Sequence, residues 1–353
     1  MGGNSFGEIF RLTTYGESHG PGLGGVVDGC PAGIPLTEEM LQAELDRRKP
    51  GQGVASTARK EADAVRVLSG VFGGVTTGTP IGFHIANEDQ RSHDYSKISE
   101  VFRPGHADYG FQSKFGVRDY RGGGRSSGRE TVSRVAGGAI AQELLRGEGI
   151  SVHAYAVELG GIRGDSSSWA EAHKRPFFAA DPEMPEAWEQ RVREVKKQGD
   201  TLGGIVEVRA LGVPPGLGEP VFGKLDARLA GALMSVGAVK GVEIGAGFEA
   251  ARMLGSQNND PMTREGFLSN NAGGMLGGIS SGQDVIVRAA VKPIPSIALE
   301  QRTVTADGRE TSIAIGGRHD ISAIPRIVPV LKAMVLLVLA DLFLLDRRLG
   351  RDR

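Results

Sequence analysis

The side chains best able to do chemistry gather in residues 118–134, where five arginines stand against two acids around Gly122-Gly123-Gly124. Three consecutive glycines let the backbone turn where a side chain would forbid it. Ser127 and Glu130 follow at the spacing of a capping box. Behind them Val132, Val135, Ala136, Ala139, Ile140 and Leu144 recur at helical spacing. A flexible basic loop entering a buried helix offers free N–H groups, the positive end of the helix dipole and arginine forks. All three favour a phosphate or a carboxylate. The plainer alternative is a solvated basic loop before an ordinary helix.

Two more loops place a histidine among glycines: Gly16-Glu17-Ser18-His19-Gly20 and Arg103-Pro104-Gly105-His106-Ala107-Asp108. Histidine titrates near neutral pH and can carry protons, although a lone histidine is more often structural. Gly317-Arg318-His319-Asp320 adds an arginine and a carboxylate just before the last expected helix. Lys292-Pro293-Ile294-Pro295-Ser296 is a stiff segment whose cation and hydroxyl suit an anion, or else a proline-punctuated exit from an edge strand. The glycine-rich nucleotide fingerprints, the P-loop, the nucleophile elbow and the paired-histidine zinc helix are all missing. Cys30 sits in a Gly-Cys-Pro turn with no base beside it, which argues against nucleophilic catalysis, and one cysteine gives no zinc cluster. These residues point to an enzyme that binds a phosphorylated polyanion and has His and Asp for proton transfer.

The elements that must hold these groups follow from periodicity. The spacing predicts strands at residues 6–14, 26–28, 65–71, 80–85, 151–159, 205–211 and 279–291. It predicts helices at 37–49, with Thr37 as cap, and at 131–146, 224–235 and 326–345. Residues 51–62 read as a mobile loop and 87–105 as a long polar one. Residues 163–200 are rich in charge and proline, with an exposed helix expected at 185–198. They read as a peripheral helical insertion in a single domain spanning residues 1–353. Residues 333–345 are the most apolar run but are broken by Asp341 and are too short to span a bilayer, so a buried helix is expected.

With 41 basic and 42 acidic residues the chain lacks the net basic footprint of a nucleic-acid binder. No apolar core segment of a signal peptide opens the chain, and a single cysteine fits a reducing cytosol. Glycine, at 54 residues, has about twice its usual share and is spread along the chain. Gly73-Gly74-Val75-Thr76-Thr77-Gly78 echoes Gly277-Gly278-Ile279-Ser280-Ser281-Gly282, and Leu23-Gly24-Gly25-Val26-Val27-Asp28 echoes Leu202-Gly203-Gly204-Ile205-Val206-Glu207. Two halves about a pseudo-twofold axis would explain this, as would chance similarity between glycine turns.

In order along the chain, several stretches resemble signatures of the chorismate synthase family. Gly16-Glu17-Ser18-His19-Gly20-Pro21-Gly22-Leu23-Gly24-Gly25-Val26-Val27-Asp28-Gly29 resembles the first. Arg103-Pro104-Gly105-His106-Ala107-Asp108 and Tyr120-Arg121-Gly122-Gly123-Gly124-Arg125-Ser126-Ser127 resemble the second, and Gly317-Arg318-His319-Asp320 the C-terminal one. Gly273-Gly274-Met275-Leu276-Gly277-Gly278-Ile279-Ser280-Ser281-Gly282 is similar as well.

The resemblance implies an α+β fold, a β-α sandwich of antiparallel sheets and helical layers, assembled as a homotetramer. It implies a lyase of the shikimate pathway that forms chorismate and phosphate from 5-enolpyruvylshikimate 3-phosphate by anti-1,4-elimination. The family uses reduced FMN without net redox change, and needs no metal. By the same resemblance His19 is the proton donor near the leaving phosphate, His106 protonates or stabilises the reduced flavin, and Asp320 assists loss of the C6 hydrogen. Implied FMN contacts are Arg125, Ser126, Ser127, Gly237, Ala238, Gly277, Lys292, Pro293, Ile294, Pro295, Ser296 and Arg318. Implied substrate contacts are Arg48, Arg129 and Arg134. NADPH would enter only as a source of reduced flavin through an external flavin reductase, because no reductase domain is visible. A cytoplasmic location is expected. Val54 stands where the family usually has an arginine, which should raise KM more than it lowers kcat. A flavin-binding homologue with impaired catalysis is the alternative, against which His19, His106 and Asp320 together argue.

Overall fold

Short apolar strands separated by glycine turns build two five-stranded antiparallel sheets with helices between them. The computed structural model describes residues 3–49, 55, 63–87, 99–316 and 319–349. The first half contains β1 (Ser5–Phe6), β2 (Arg11–Gly16), β3 (Gly22–Asp28), α1 (Glu38–Arg48), β4 (Val65–Val67), the hairpin β5 (Val71–Phe72) and β6 (Val75–Thr76), β7 (Ile81–Ala86), α2 (Asp108–Phe115) and α3 (Thr131–Gly147). Its sheet runs β1-β2-β3-β7-β4. The second half contains β8 (Ser151–Leu159), β9 (Ile162–Arg163), α4 (Met184–Lys197), β10 (Gly204–Leu211), α5 (Leu225–Met234), β11 (Val239–Ile244) and α6 (Gly255–Asn258). There follow the hairpins β12 (Met262–Thr263) with β13 (Gly266–Phe267) and β14 (Met275–Leu276) with β15 (Ile279–Ser280). Then come β16 (Val285–Val291), the hairpin β17 (Gln301–Val304) with β18 (Glu310–Ile313), and α7 (Ile324–Arg348). The second sheet runs β11-β16-β10-β8-β9.

Helix α3 packs on β2 and β3, α7 packs on β8 and β10, and the two helices pack on each other, giving a sheet–helix–helix–sheet sandwich with one continuous core. Two glycines permit the close approach. A Cβ on Gly138 would stand 2.7 Å from the Cα of Ala333 in α7, and one on Gly137 would stand 2.8 Å from a methyl of Leu12 in β2. Helix α7 is long and apolar enough to cross a membrane by length and composition, but here it is buried within the protein as the core helix that its pattern predicts.

The halves repeat, and the hydrogen bonds fix the correspondence. In the first, the Thr76 hydroxyl donates to Pro31 O (2.6 Å) and accepts from Ile34 N (3.0 Å). In the second, the Ser280 hydroxyl donates to Pro214 O (2.6 Å) and accepts from Leu217 N (2.8 Å). Register agrees as well: Val27 faces Ile81, and Ala210 faces Val285. Gly73-Gly74 and Gly277-Gly278 both turn their hairpins with positive φ at both positions, the geometry that matches strand twist. The echo between residues 23–28 and 202–207 is out of register, however: by its place after the strand and before the proline turn, Gly29 corresponds to Gly212.

Other expectations need correction. The strand expected at 6–14 breaks into β1 and β2, because the buried carboxylate of Asp341 accepts the N–H groups of Glu8, Ile9 and Phe10 at 2.7–3.0 Å. The strand expected at 65–71 stops at Val67, and Val71 belongs to the β5–β6 hairpin. A turn splits residues 279–291 into β15 and β16. Helix α4 is not exposed all round: Trp188, Val192 and Val195 are buried, and residues 169–180 lie over the outer face of the second sheet around Tyr155. Helix α2 was not expected. Residues 51–54, 56–62 and 88–98, within two of the expected loops, lie outside the described residues.

Candidate functional site

The β2–β3 turn carries His19, and the glycine run packs directly on it. A Cβ on Gly122 would stand 3.1 Å from His19 Nε2, and one on Gly124 would stand 3.7 Å from the Glu17 carboxylate. Gly122 is tight against His19, whereas Gly124 would have room for a side chain and is required by its positive φ. Asn87, just past β7, ties the turn down. Its carboxamide N–H group donates to Glu17 O (3.0 Å), Ser18 O (3.4 Å) and Gly20 O (2.8 Å), and its oxygen accepts from Arg129 Nε (3.1 Å).

The second histidine loop is clamped from within. Arg103 donates to both oxygens of Asp108 (2.8 and 2.7 Å), and Arg118 adds an ion pair at 3.2 Å, all buried. Burial works against the Asp108 carboxylate, yet the hydrogen bonds and charge of Arg103, with Arg118, hold its pKa below the ordinary value. The loop docks on residues 292–296. Lys292 Nζ donates to Gly105 O at 2.8 Å, and a Cβ on Gly105 would stand 2.8 Å from Pro295. His106 bridges the junction, with Nδ1 3.0 Å from Pro104 O and Nε2 3.0 Å from the Ser296 hydroxyl. Burial first, then the charge of Arg103, pushes the His106 pKa down to about 4. The ring is therefore neutral at pH 7. A carbonyl only accepts, so Nδ1 carries the proton and Nε2 accepts from Ser296.

Behind this junction Lys292 N donates to Ala238 O (2.9 Å), and Ala238 holds a φ of +76°, a backbone shape that L residues rarely adopt. Burial and the neighbouring Lys240 both lower the Lys292 pKa, and among the described residues no ion pair joins either lysine. A paired cation site with open backbone at Gly237 suits a phosphate-bearing cofactor. The Asp320 carboxylate, 11% exposed, accepts from Arg326 at 3.1 Å. The next residue, Ile321, accepts from Leu202 N, while Thr201 Oγ1 donates to Ile294 O, so Asp320 joins the same loop cluster.

Several expected contacts turn inward. Arg48 is 1% exposed and spends its guanidinium on Asp63, Thr131 and Gly128 O. Arg129 pairs with the other oxygen of Asp63. Arg125 donates to Gly16 O, Thr14 and Asn4. Arg134 binds Glu130 and the Ser235 hydroxyl and carbonyl, two residues before Gly237. Glu130 therefore faces Arg134 and does not close a capping box. Ser127 still caps the turn, accepting from Arg129 N at 3.3 Å, and Ser126 donates to Gly123 O. Gly277 lies at the opposite end of β16 from Lys292, about 20 Å away at the usual rise per strand residue. Arg318 and Val54 lie outside the described residues. Asn87, Asp63, Arg103 and Asp108 were not among the expected site residues.

The comparisons with known proteins give the family. The family model described as chorismate synthase matches residues 10–344. Chorismate synthase of Maridesulfovibrio salexigens is 71% identical over 350 residues, covering 99% of this chain and 100% of that protein. That of Nitratidesulfovibrio vulgaris is 68% identical and covers 99% of each. A crystal structure of chorismate synthase superposes with a TM-score of 0.78 at 35% identity, covering 98% of this chain and 94% of that one. The chain belongs to the chorismate synthase family.

Proposed function

We propose that the loop cluster around His19, His106 and Asp320 is where this enzyme performs the family's reaction, the anti-1,4-elimination of phosphate from 5-enolpyruvylshikimate 3-phosphate to give chorismate. The enzyme is a carbon–oxygen lyase. The observation that carries the placement is the docking of the His106 loop on residues 292–296, next to the glycine run that covers His19.

The family implies flavin-dependent catalysis, and we assign the flavin as reduced FMN. Bound there, it would supply electron density to the departing phosphate and recover it, leaving no net redox change. Lys292, Lys240 and the backbone at Gly237 and Ala238 supply the donors and charge that fit its phosphate. Ser296 and His106 stand at the junction where the ring would lie. His106 holds its proton on Nδ1, and its Nε2 is the position to which a proton moves once a negative charge lies beside it, since an opposite charge favours the imidazolium. His19 is the acid that delivers a proton to the leaving phosphate oxygen. Arg129 and Arg134 supply positive potential on the substrate side, and Arg48 acts behind them through Asp63. Asp320, held by Arg326, is the carboxylate that assists loss of the C6 hydrogen by taking up its proton, while the electron density left at C6 returns through the flavin.

Gly277 reaches a flavin in this scheme only from another protomer, consistent with a homotetramer. Analytical ultracentrifugation tests the assembly, with a four-chain mass expected and a single-chain mass against it. Reduced flavin would come from a separate reductase drawing on NADPH, in the cytoplasm. In an anaerobic assay with reduced FMN, His19→Ala should fall below one hundredth of wild-type turnover, given the usual size of general acid catalysis. Near-wild-type turnover would remove His19 from the chemistry.

A further inference from the structure

We infer that Asn87 is a positioning residue that sets the placement of the His19 imidazole. The inference rests on the reading of His19 as the proton donor. Within the His19 turn Gly20 N donates to Glu17 O, and the Ser18 hydroxyl reaches Arg121 O of the glycine run at 3.5 Å. Asn87 gathers the Glu17, Ser18 and Gly20 carbonyls on both sides of His19 onto one planar NH2 group. The residue is itself rigid. It follows directly on β7, whose last residue, Ala86, faces Gly22, and its own N–H donates to Pro21 O at 3.1 Å. The side chain is thus fixed to the sheet and grips the turn from outside.

The other face of the carboxamide is equally committed. Its oxygen accepts from Arg129 Nε, and Arg129 in turn pairs with Asp63, whose side chain is fully buried and also holds Arg48. A sheet-anchored residue that donates to the acid's turn and accepts from an arginine on the anion side fixes the spacing between the two. Only an amide offers donors and an acceptor on one rigid plane. Misplacing a reacting group by about 1 Å can cost roughly a hundredfold in rate.

Two variants separate the faces. Asn87→Ala removes both, while Asn87→Asp keeps an acceptor for Arg129 and replaces the donors with an oxygen that repels the three carbonyls. Both should lower kcat roughly ten- to a hundredfold, with KM for the substrate moving less. The affinity for FMN alone should stay at the wild-type value, because Lys292, Lys240 and Gly237 lie on other loops, and the melting temperature should fall by only a few degrees, since the three carbonyls are at most part-buried and water can replace their partner. Carbethoxylation by diethylpyrocarbonate, followed by mass spectrometry, reads the position of His19 without needing turnover. Its rate at His19 should change severalfold in both variants, while the rate at His106 stays fixed. Wild-type turnover with unchanged His19 reactivity in Asn87→Asp would overturn the inference, as would a parallel loss of kcat, FMN affinity and melting temperature. An inactive wild type would count against the proposed reaction, while the modification rates would still decide the positioning role.

Discussion

At the scale of single residues, the two histidines differ in how they are held. His106 is neutral and locked between Pro104 and Ser296, so its chemistry depends on what lies beside Nε2. His106→Ala should lower turnover by roughly two to four decades, measured anaerobically with reduced FMN. The depressed pKa also has a stability consequence. Between the ordinary histidine value of 6.5 and about 4, the unfolded chain binds a proton that the folded chain refuses. Stability contributed by neutral His106 is therefore complete above pH 6.5 and lost as pH falls toward 4. Urea unfolding at pH 7 and pH 5 should show the decline, and His106→Asn should flatten it. The sequence singles out both histidines because glycine flanks them. It does not reveal Asp63 or Asn87, whose roles rest on partners such as Arg129, 66 and 42 residues away.

At the scale of elements, the helices were the most legible parts. Thr37 caps α1 as its position suggests, and α3 and α7 follow their apolar periodicity. Strands were less legible wherever a distant side chain interrupts them. Asp341 looks like a blemish in an apolar run, yet it terminates the β1–β2 segment by satisfying three backbone N–H groups from the other end of the chain. Asp341→Ala should destabilise the fold by roughly 2–4 kcal/mol through those orphaned donors, read as a shift in the urea midpoint. No local pattern announces such a partner. Gly138 illustrates the same limit: it is a poor helix former kept because Ala333 leaves no room for a side chain. Gly138→Leu should cost roughly 1–3 kcal/mol by overpacking, with a lowered melting temperature as the check.

At the scale of the whole molecule, the duplication was partly visible in the sequence. The hairpin glycines and the Thr76 and Ser280 hydroxyls preserve it because they are tied to turn geometry. The strands β3 and β10 match by their place between the preceding helix or loop and the proline turn and not by the paired glycines, so the second echo misleads about register. The proposed cluster draws on both halves: the His19 and glycine-run loops come from the first, residues 292–296 and Asp320 from the second. A site assembled across such a seam needs the whole sandwich, and the family match spans nearly all of it.

The most direct test is an anaerobic reaction of the purified chain with reduced FMN and 5-enolpyruvylshikimate 3-phosphate, following chorismate and phosphate together. Equimolar release of both, with the flavin still reduced at the end, is the expected result. Folded protein that releases no phosphate, or that consumes one reduced flavin per turnover, would contradict the account.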